Sequence, residues 1–137
     1  MIRRAQINDL NRINELGLLL DNAFTTKNEL NKYLDSDIYI LNVLEIDNLI
    51  QGFILATHLY ENIEILYLIV DKDYQKCGYG KELLNSIITN NDHILLEVRN
   101  SNENAISFYH HLGFNTINIR KNYYDNGDDA LIMERSI

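Results

Sequence analysis

Two features of this sequence have the residue types and spacing for chemistry. One is a pair of glycines, one residue apart, in YQKCGYGKELL, Tyr74 to Leu84. The other is a carboxylate, Glu97, at the far end of the apolar run Ile94, Leu95, Leu96. Glycines that follow an apolar run and open a helix let backbone N–H groups approach an anion, and a helix N-terminus favours negative charge. Two familiar phosphate loops fail on residues. A P-loop needs glycine at position 75 and Ser or Thr after Lys81, where Gln75 and Glu82 stand. A dinucleotide fingerprint needs a third glycine at position 83, which is Leu83. What remains is Gln75-x-x-Gly78-x-Gly80, with Lys76 and Lys81 able to add charge at the rim. The loop alone reads equally well as a phosphate cradle or as a glycine-rich turn. Glu97 alone is either poised for proton transfer or paired structurally, with Arg99 as the nearest cation in sequence. Cys77 sits where a helix N-terminus would lower a thiol pKa, but no motif places a histidine beside it. His110 and His111 lack the i, i+4 spacing of metal ligands on one helix face and read as surface residues; no metal is expected.

The elements that must position these residues fit one domain over residues 1–137. A chain of 137 residues can bury roughly 68% of its unfolded surface, so it needs no disulfide or metal staple. One cysteine excludes an internal disulfide and is compatible with a reducing cytoplasm, the expected location. There is no run of about 20 apolar residues to span a membrane, and MIRRAQINDL has no apolar stretch of the signal-peptide kind. The net charge of −8 argues against direct nucleic-acid binding and suits a cationic partner. Proline is absent, which reads as compositional bias without functional content.

Along the chain, IRRAQI reads as a first strand. Asn8 is placed to cap a helix carrying Leu10, Ile13, Leu16 and Leu20 on one face. TKNE, Thr26 to Glu29, has capping-box spacing for a second short helix with Leu30 and Leu34. Residues 39–46 and 49–60 alternate as strands around Asp47-Asn48, a hairpin signal, and 63–71 is another strand. A helix is expected from Gly80 to Asn90, with Leu83, Leu84, Ile87 and Ile88 inward. HILLEVR, 93–99, looks too apolar for alternation, so coverage on both faces is expected. Residues 102–112 form a helix stopped by Gly113, its core stripe being Ala105, Phe108, Tyr109 and Leu112. Two strands, FNTINIR and ALIMERS, close the chain. The fold class is α/β: a mixed, mostly antiparallel sheet flanked by helices, with a right-handed parallel strand–helix–strand crossover from 63 to 99.

Q-x-x-G-x-G followed by E-V-R-x-S-N-x-x-A-x-x-x-Y-x-x-x-G-F, at 75–80 and 97–114, resembles the GNAT superfamily of acyl-CoA-dependent N-acetyltransferases. The ending RKNYYDNGDDALIM, Arg120 to Met133, is similar to that of the bacterial ribosomal-protein-alanine N-acetyltransferases. The match is dense from about Leu66 onward and sparse before it. The resemblance implies acetyl-CoA as co-substrate, its pyrophosphate on the backbone of Cys77, Gly78, Tyr79, Gly80 and Lys81 with Gln75 at the loop's start. It implies that the strand edge Ile69, Val70, Asp71 pairs with the pantetheine arm and that Asn102 meets the cofactor. An N–H near Val70 would face the developing oxyanion. Glu97 matches the general base and Tyr109 the general acid. A phenol giving its proton to a thiolate is uphill by roughly 2 kcal/mol, so Tyr109 can act instead by hydrogen bonding to developing charge. Tyr123 and Tyr124 match the acceptor border. The implied acceptor is the N-terminal alanine of a small-subunit ribosomal protein, a basic peptide, with the enzyme a monomer or weak homodimer. A small amine, a lysine, or a non-catalytic acyl-CoA-binding role are the alternatives. Two places depart from the family: NAFTTKNEL has Phe24 but no Pro or Trp, and Tyr67 stands where relatives carry a small polar residue.

Overall fold

The computed structural model describes residues 1–88 and 93–136. Its strands are β1 (Ile2–Arg4), β2 (Tyr39–Ile46), β3 (Leu49–Leu59), β4 (Asn62–Val70), β5 (His93–Arg99), β6 (Asn115–Arg120) and β7 (Ala130–Ser136). Its α-helices are α1 (Leu10–Leu20), α2 (Phe24–Lys27), α3 (Tyr79–Asn85) and α4 (Glu103–His111), with 3-10 turns at Ile7–Asp9, Leu30–Tyr33 and Lys72–Tyr74. The strands hydrogen-bond in the order β1-β2-β3-β4-β5-β7-β6. The pairs β1·β2, β2·β3, β5·β7 and β6·β7 are antiparallel, and β4·β5 is parallel. This is the expected mixed α/β sheet. The residues group into two compact units, 1–58 with 66–88, and 59–65 with 93–136.

In the first unit, alternation along β2 divides the layers. Leu41 and Val43 face a core shared with Ile13 and Leu16 of α1, Phe24 of α2, and Phe53 and Leu55 of β3. On the opposite face, Asn42 donates its side-chain N–H to Ser86 just beyond α3 (3.0 Å), while Leu83 and Leu84 of α3 are fully buried. The β2–β3 turn is as expected: Asp47 and Asn48 both take positive φ, 52° and 66°, as a two-residue hairpin loop of matching twist requires.

Several local expectations are corrected. The first helix is entered through the Ile7–Asp9 turn, and Asp9 replaces Asn8 at the cap position. The Asp9 carboxylate accepts from the Gln6 N–H (2.8 Å) and from Arg3 (2.7 and 3.0 Å), and Arg3 holds its carboxyl below the usual range. Leu20, expected on the inward face, is exposed. The Thr26–Glu29 capping box does not form: the Thr26 hydroxyl donates to Ala23 O inside the single-turn α2, and a 3-10 turn carries Leu30. Asn28 breaks the pattern by turning extended (φ −127°, ψ 125°). α3 ends at Asn85, and the expected continuation through 89 and 90 lies outside the described residues.

In the second unit, β4 and β5 are in register from Asn62↔His93 to Ile65↔Leu96. β5 alternates after all, which corrects the expectation of cover on both faces. Ile94, Leu96 and Val98 are buried, and Glu97 and Arg99 are exposed. Arg135, opposite Ile94, donates to Leu112 O (3.1 Å) and lies over the Phe114 ring, so α4 covers the buried face. Asn102 caps α4 by accepting from Ala105 N, and Gly113 (φ 95°) stops it.

Gly17 makes the sharpest packing demand. A Cβ there would lie 2.5 Å from the ring of Phe24, which is itself fully buried against Phe53 and Tyr67. Gly17→Ala gains about 1 kcal/mol of helix propensity but forces overpacking that costs about 1–3 kcal/mol. The expected outcome is a lower urea midpoint at unchanged slope; an unchanged midpoint would mean the ring yields freely.

Candidate active site

The candidate cradle begins where β3 approaches the end of β4 at Gly52. The β2–β3 register passes from Leu44↔Gly52 to Glu45↔Ile50, leaving Gln51 as a bulge. A bulge re-aims one residue and bends its strand. Gln51 uses this: its carbonyl accepts from Asp71 N (2.7 Å) just past β4. Gly52 permits the approach, since a Cβ there would lie 2.7 Å from the Ile69 carbonyl oxygen. Arg12 of α1 closes the arrangement. It donates to Ile50 O (2.9 Å), Gln51 Oε1 (3.3 Å) and Asp71 Oδ2 (3.1 Å). The Asp73 N–H and then Arg12 hold the Asp71 carboxyl below its usual range, with burial opposing them.

These contacts narrow the expectation for Ile69, Val70 and Asp71. Backbone groups of successive strand residues point to opposite edges. Ile69 O and Asp71 N both face β3, so Val70 turns its N–H and C=O the other way. Its carbonyl already accepts from Gln75 Nε2 (2.9 Å). Gln75 therefore ties the loop's start to the strand, and Val70 N–H is the polar group of the three directed away from β3.

Next comes the loop. Lys76 and Gly78 take positive φ, 63° and 88°, on either side of Cys77. Alternation of backbone hand turns successive N–H groups toward one side, the geometry of an anion nest. A Cβ on Gly78 would meet nothing within 4 Å, so the space beside this backbone is open. Tyr79 and Gly80 begin α3, and Lys81 is exposed within it. Cys77 is exposed, its thiol 3.5 Å from Gln75 O.

The departures from the family pattern form one cluster. Phe24 is fully buried and meets the Tyr67 ring edge-on at 4.8 Å. The Tyr67 hydroxyl donates to Asp21 (3.1 Å), which also takes Lys27 (3.0 Å) and Ala23 N (3.0 Å). Burial works against the Asp21 charge, but Ala23 N–H, Lys27 and Tyr67 outweigh it and hold the carboxyl low. Tyr67 thus packs the chain between the first two helices.

In the second unit, Glu97 lies on the face of β5 opposite that covered by α4. Its ion-pair partner is Arg120 (3.5 Å), not Arg99, the nearest cation in sequence. Arg99 instead donates to Asn126 (3.1 Å), reaches Asp128 at 3.9 Å and stacks 3.9 Å above the Tyr124 ring. Tyr123 is exposed and meets Tyr124 edge-on at 5.1 Å in the β6–β7 loop, as placed from sequence. That loop is tied down by Ser101→Asp128 (2.7 Å) and by Asn122 N→Asp129 (2.9 Å). Tyr109 is buried between Phe108 and Phe114. Arg120 and the Gln51 bulge were missed from sequence, because each acts through a neighbour strands away. The opposite charges Glu97 and Arg120 were a signal, but only strand order pairs them. The described residues contain no cluster able to hold a metal, and no helix among them is long and apolar enough to cross a membrane.

Comparison with known proteins gives the family and the fold. Residues 7–114 match the Acetyltransferase (GNAT) family, and the chain belongs to it. It is 38% identical over 90 residues to the [Ribosomal protein bS18]-alanine N-acetyltransferase of Escherichia coli K12, covering 60% of this chain and 61% of that one. The chain spans about three fifths of the length of that relative. The crystal structure of the ribosomal-protein-S18-alanine N-acetyltransferase from Escherichia coli superposes with a TM-score of 0.80 at 27% identity, over 100% of this chain and 93% of that one. A putative streptothricin acetyltransferase from Bacillus anthracis, in complex with acetyl coenzyme A, shares the fold: TM-score 0.80, 19% identity, coverage 100% and 99%.

Burial pushes the Tyr109 phenol above its ordinary value of 10. A raised pKa means the folded state keeps a proton that the unfolded chain loses. The associated stability is complete below about pH 10 and declines as pH rises beyond it. Alkaline difference spectra should show that Tyr109→Phe removes none of the phenolate signal that the folded protein develops near pH 10. Loss of early-titrating signal would mean the phenol is solvated.

Proposed function

We propose that this chain transfers an acetyl group from acetyl-CoA directly to a primary amine, the acceptor being the N-terminal alanine of a small-subunit ribosomal protein in the cytoplasm. The observation that carries the acyl-donor half is the loop after β4, with left-handed backbone at Lys76 and Gly78 and open space beside Gly78. Those residues fit a pyrophosphate: the backbone from Cys77 to Lys81 would hold it, and Lys76 and Lys81 would add charge at the rim. Val70 N–H, turned away from β3, would face the thioester oxygen as it gains negative charge. Gln75 steadies the same residue through its carbonyl. Asn102, already the cap of α4, would meet the cofactor through its remaining polar atoms.

The amine nitrogen attacks the thioester carbonyl carbon, the C–S bond breaks, and CoA leaves as thiolate. The acceptor arrives as an ammonium and loses one proton to become the nucleophile and a second as the amide forms. Glu97 takes the first, directly or through water, and the second passes to the departing thiolate or to water. An α-amine has a pKa near ~8, so about 10% is neutral at pH 7 and the base faces a modest task. Tyr109, held protonated by burial, serves the thiolate as a hydrogen-bond donor; full proton transfer is uphill. Tyr123 and Tyr124 would border the acceptor. The N-terminal reading is supported by the named relative and by the net charge of −8, which favours encounter with a basic tail. The α-amine's lower pKa than lysine's also gives roughly a 250-fold larger neutral fraction at pH 7.

Two outcomes are expected. In competition for acetyl-CoA, followed by product mass, an Ala-starting basic peptide is acetylated faster than its N-blocked, lysine-containing form or spermidine. The reverse order would transfer the reading to lysines or small amines. Glu97→Gln lowers turnover about 100-fold near neutral pH, and the deficit shrinks by about pH 9.5, where solution supplies the neutral amine. Equal losses at both pH values would remove Glu97 as the base.

A further inference from the structure

We propose that Arg120 is an acceptor-specificity residue that occupies Glu97 until a cationic amine displaces it, then rests on the ring of Tyr123. The inference builds on the reading of Glu97 as the base.

Strand order places the residues. Arg99 and Arg120 flank Ala130 on one row of the β5-β7-β6 sheet, and Glu97 lies on the next row, opposite Ile132. Directly opposed residues and their i±2 neighbours share a face. The small side chain of Ala130 lets Arg120 reach across β7 to the carboxylate. The two arginines then differ in how they are held. Arg99 has a hydrogen bond from Nη1 to Asn126, the Asp128 carboxylate nearby and the Tyr124 ring beneath it. Arg120 makes a single contact with Glu97, Nη1 to Oε1 at 3.5 Å, with no side-chain hydrogen bond among the described residues. Its side chain is 53% exposed and that of Glu97 30% exposed. An ion pair of this kind contributes little and exchanges readily.

The same guanidinium also lies over an aromatic ring. The Arg120 guanidinium carbon lies 5.5 Å from the Tyr123 ring centroid, within cation–π range. Tyr123 itself is fixed by Tyr124, and Tyr124 by Arg99. Arg120 therefore touches a carboxylate and an aromatic ring at once, so a guanidinium displaced from Glu97 keeps the ring of Tyr123 beneath it. An incoming ammonium is a cation competing for the same carboxylate oxygen. A neutral nucleophile has no such competition to win, so the arrangement sets how strongly positive charge on the acceptor is selected.

The test uses steady-state kinetics of the full chain with acetyl-CoA and an Ala-starting basic peptide, and hydroxylamine as a neutral acceptor. Arg120→Met should lower the KM for the peptide about two- to five-fold, the range an exposed pair can supply. The KM for acetyl-CoA and for hydroxylamine should not change. Arg120→Lys, which keeps a charge, should retain the wild-type peptide KM. Tyr123→Leu, which removes the aromatic ring, should raise it. In a Glu97→Gln background, Arg120→Met should have no effect on peptide KM. An unchanged or raised peptide KM in Arg120→Met, with Glu97→Gln still impairing turnover, would overturn the gate and leave Glu97 as the base. Wild-type turnover in Glu97→Gln would instead remove the reading on which the gate rests. If Arg120→Met unfolds, a peptide KM reduced in Arg120→Lys or unchanged in Tyr123→Leu overturns it.

Discussion

The join between β3 and the end of β4 depends on one guanidinium. Arg12 joins three pieces of backbone that are distant in sequence: its own helix, the Ile50–Gln51 bulge of β3, and Asp71 at the end of β4. A planar fork with five donors suits this task better than the point charge of lysine. The consequence is directional. With Asp71 N committed to Gln51 and Ile69 O pressed against Gly52, alternation turns the Val70 backbone groups away from β3. A single bulged residue and a single missing Cβ therefore decide which strand edge each of these backbone groups faces.

The second unit solves a different problem, that of holding a charged loop in place on an exposed sheet face. Asp128 and Asp129 accept hydrogen bonds from Ser101 and from Asn122 N–H, and both carboxyls are held below their usual range by those donors first. The loop carrying Tyr123 and Tyr124 is thus tied to the segment between β5 and α4. Rigidity there contrasts with the lightly held Glu97–Arg120 pair beside it.

Much of the fold was legible because local chemistry agreed with the global pattern. The Asp47-Asn48 hairpin and the Gly113 stop each rest on backbone preferences confined to a few residues. Expectations failed where tertiary contacts overrode such preferences. Thr26 and Glu29 have capping-box spacing, yet Phe24 is drawn into the core and Asn28 turns extended after one helical turn. HILLEVR seemed apolar throughout, yet Leu95 is only partly buried and the strand alternates, with helix α4 on one face alone.

For the site, the glycine loop, Glu97, Tyr109 and the paired tyrosines were nominated from sequence, because type and spacing along one stretch of chain carry such a signal. Which partner each would have was not readable. Arg99 is two residues from Glu97 in sequence, and Arg120 is twenty-three away, yet it is Arg120 that reaches the carboxylate. The sequence by itself determined the family, the phosphate-type loop and the candidate acid–base groups. Only the tertiary structure decided that the Val70 backbone groups turn away from β3, that Gln75 spends its amide on Val70, and that Arg120 pairs with Glu97. The physical reason is that strand order and register, set by the burial of whole faces, bring together side chains whose separation along the chain says nothing of their distance in space.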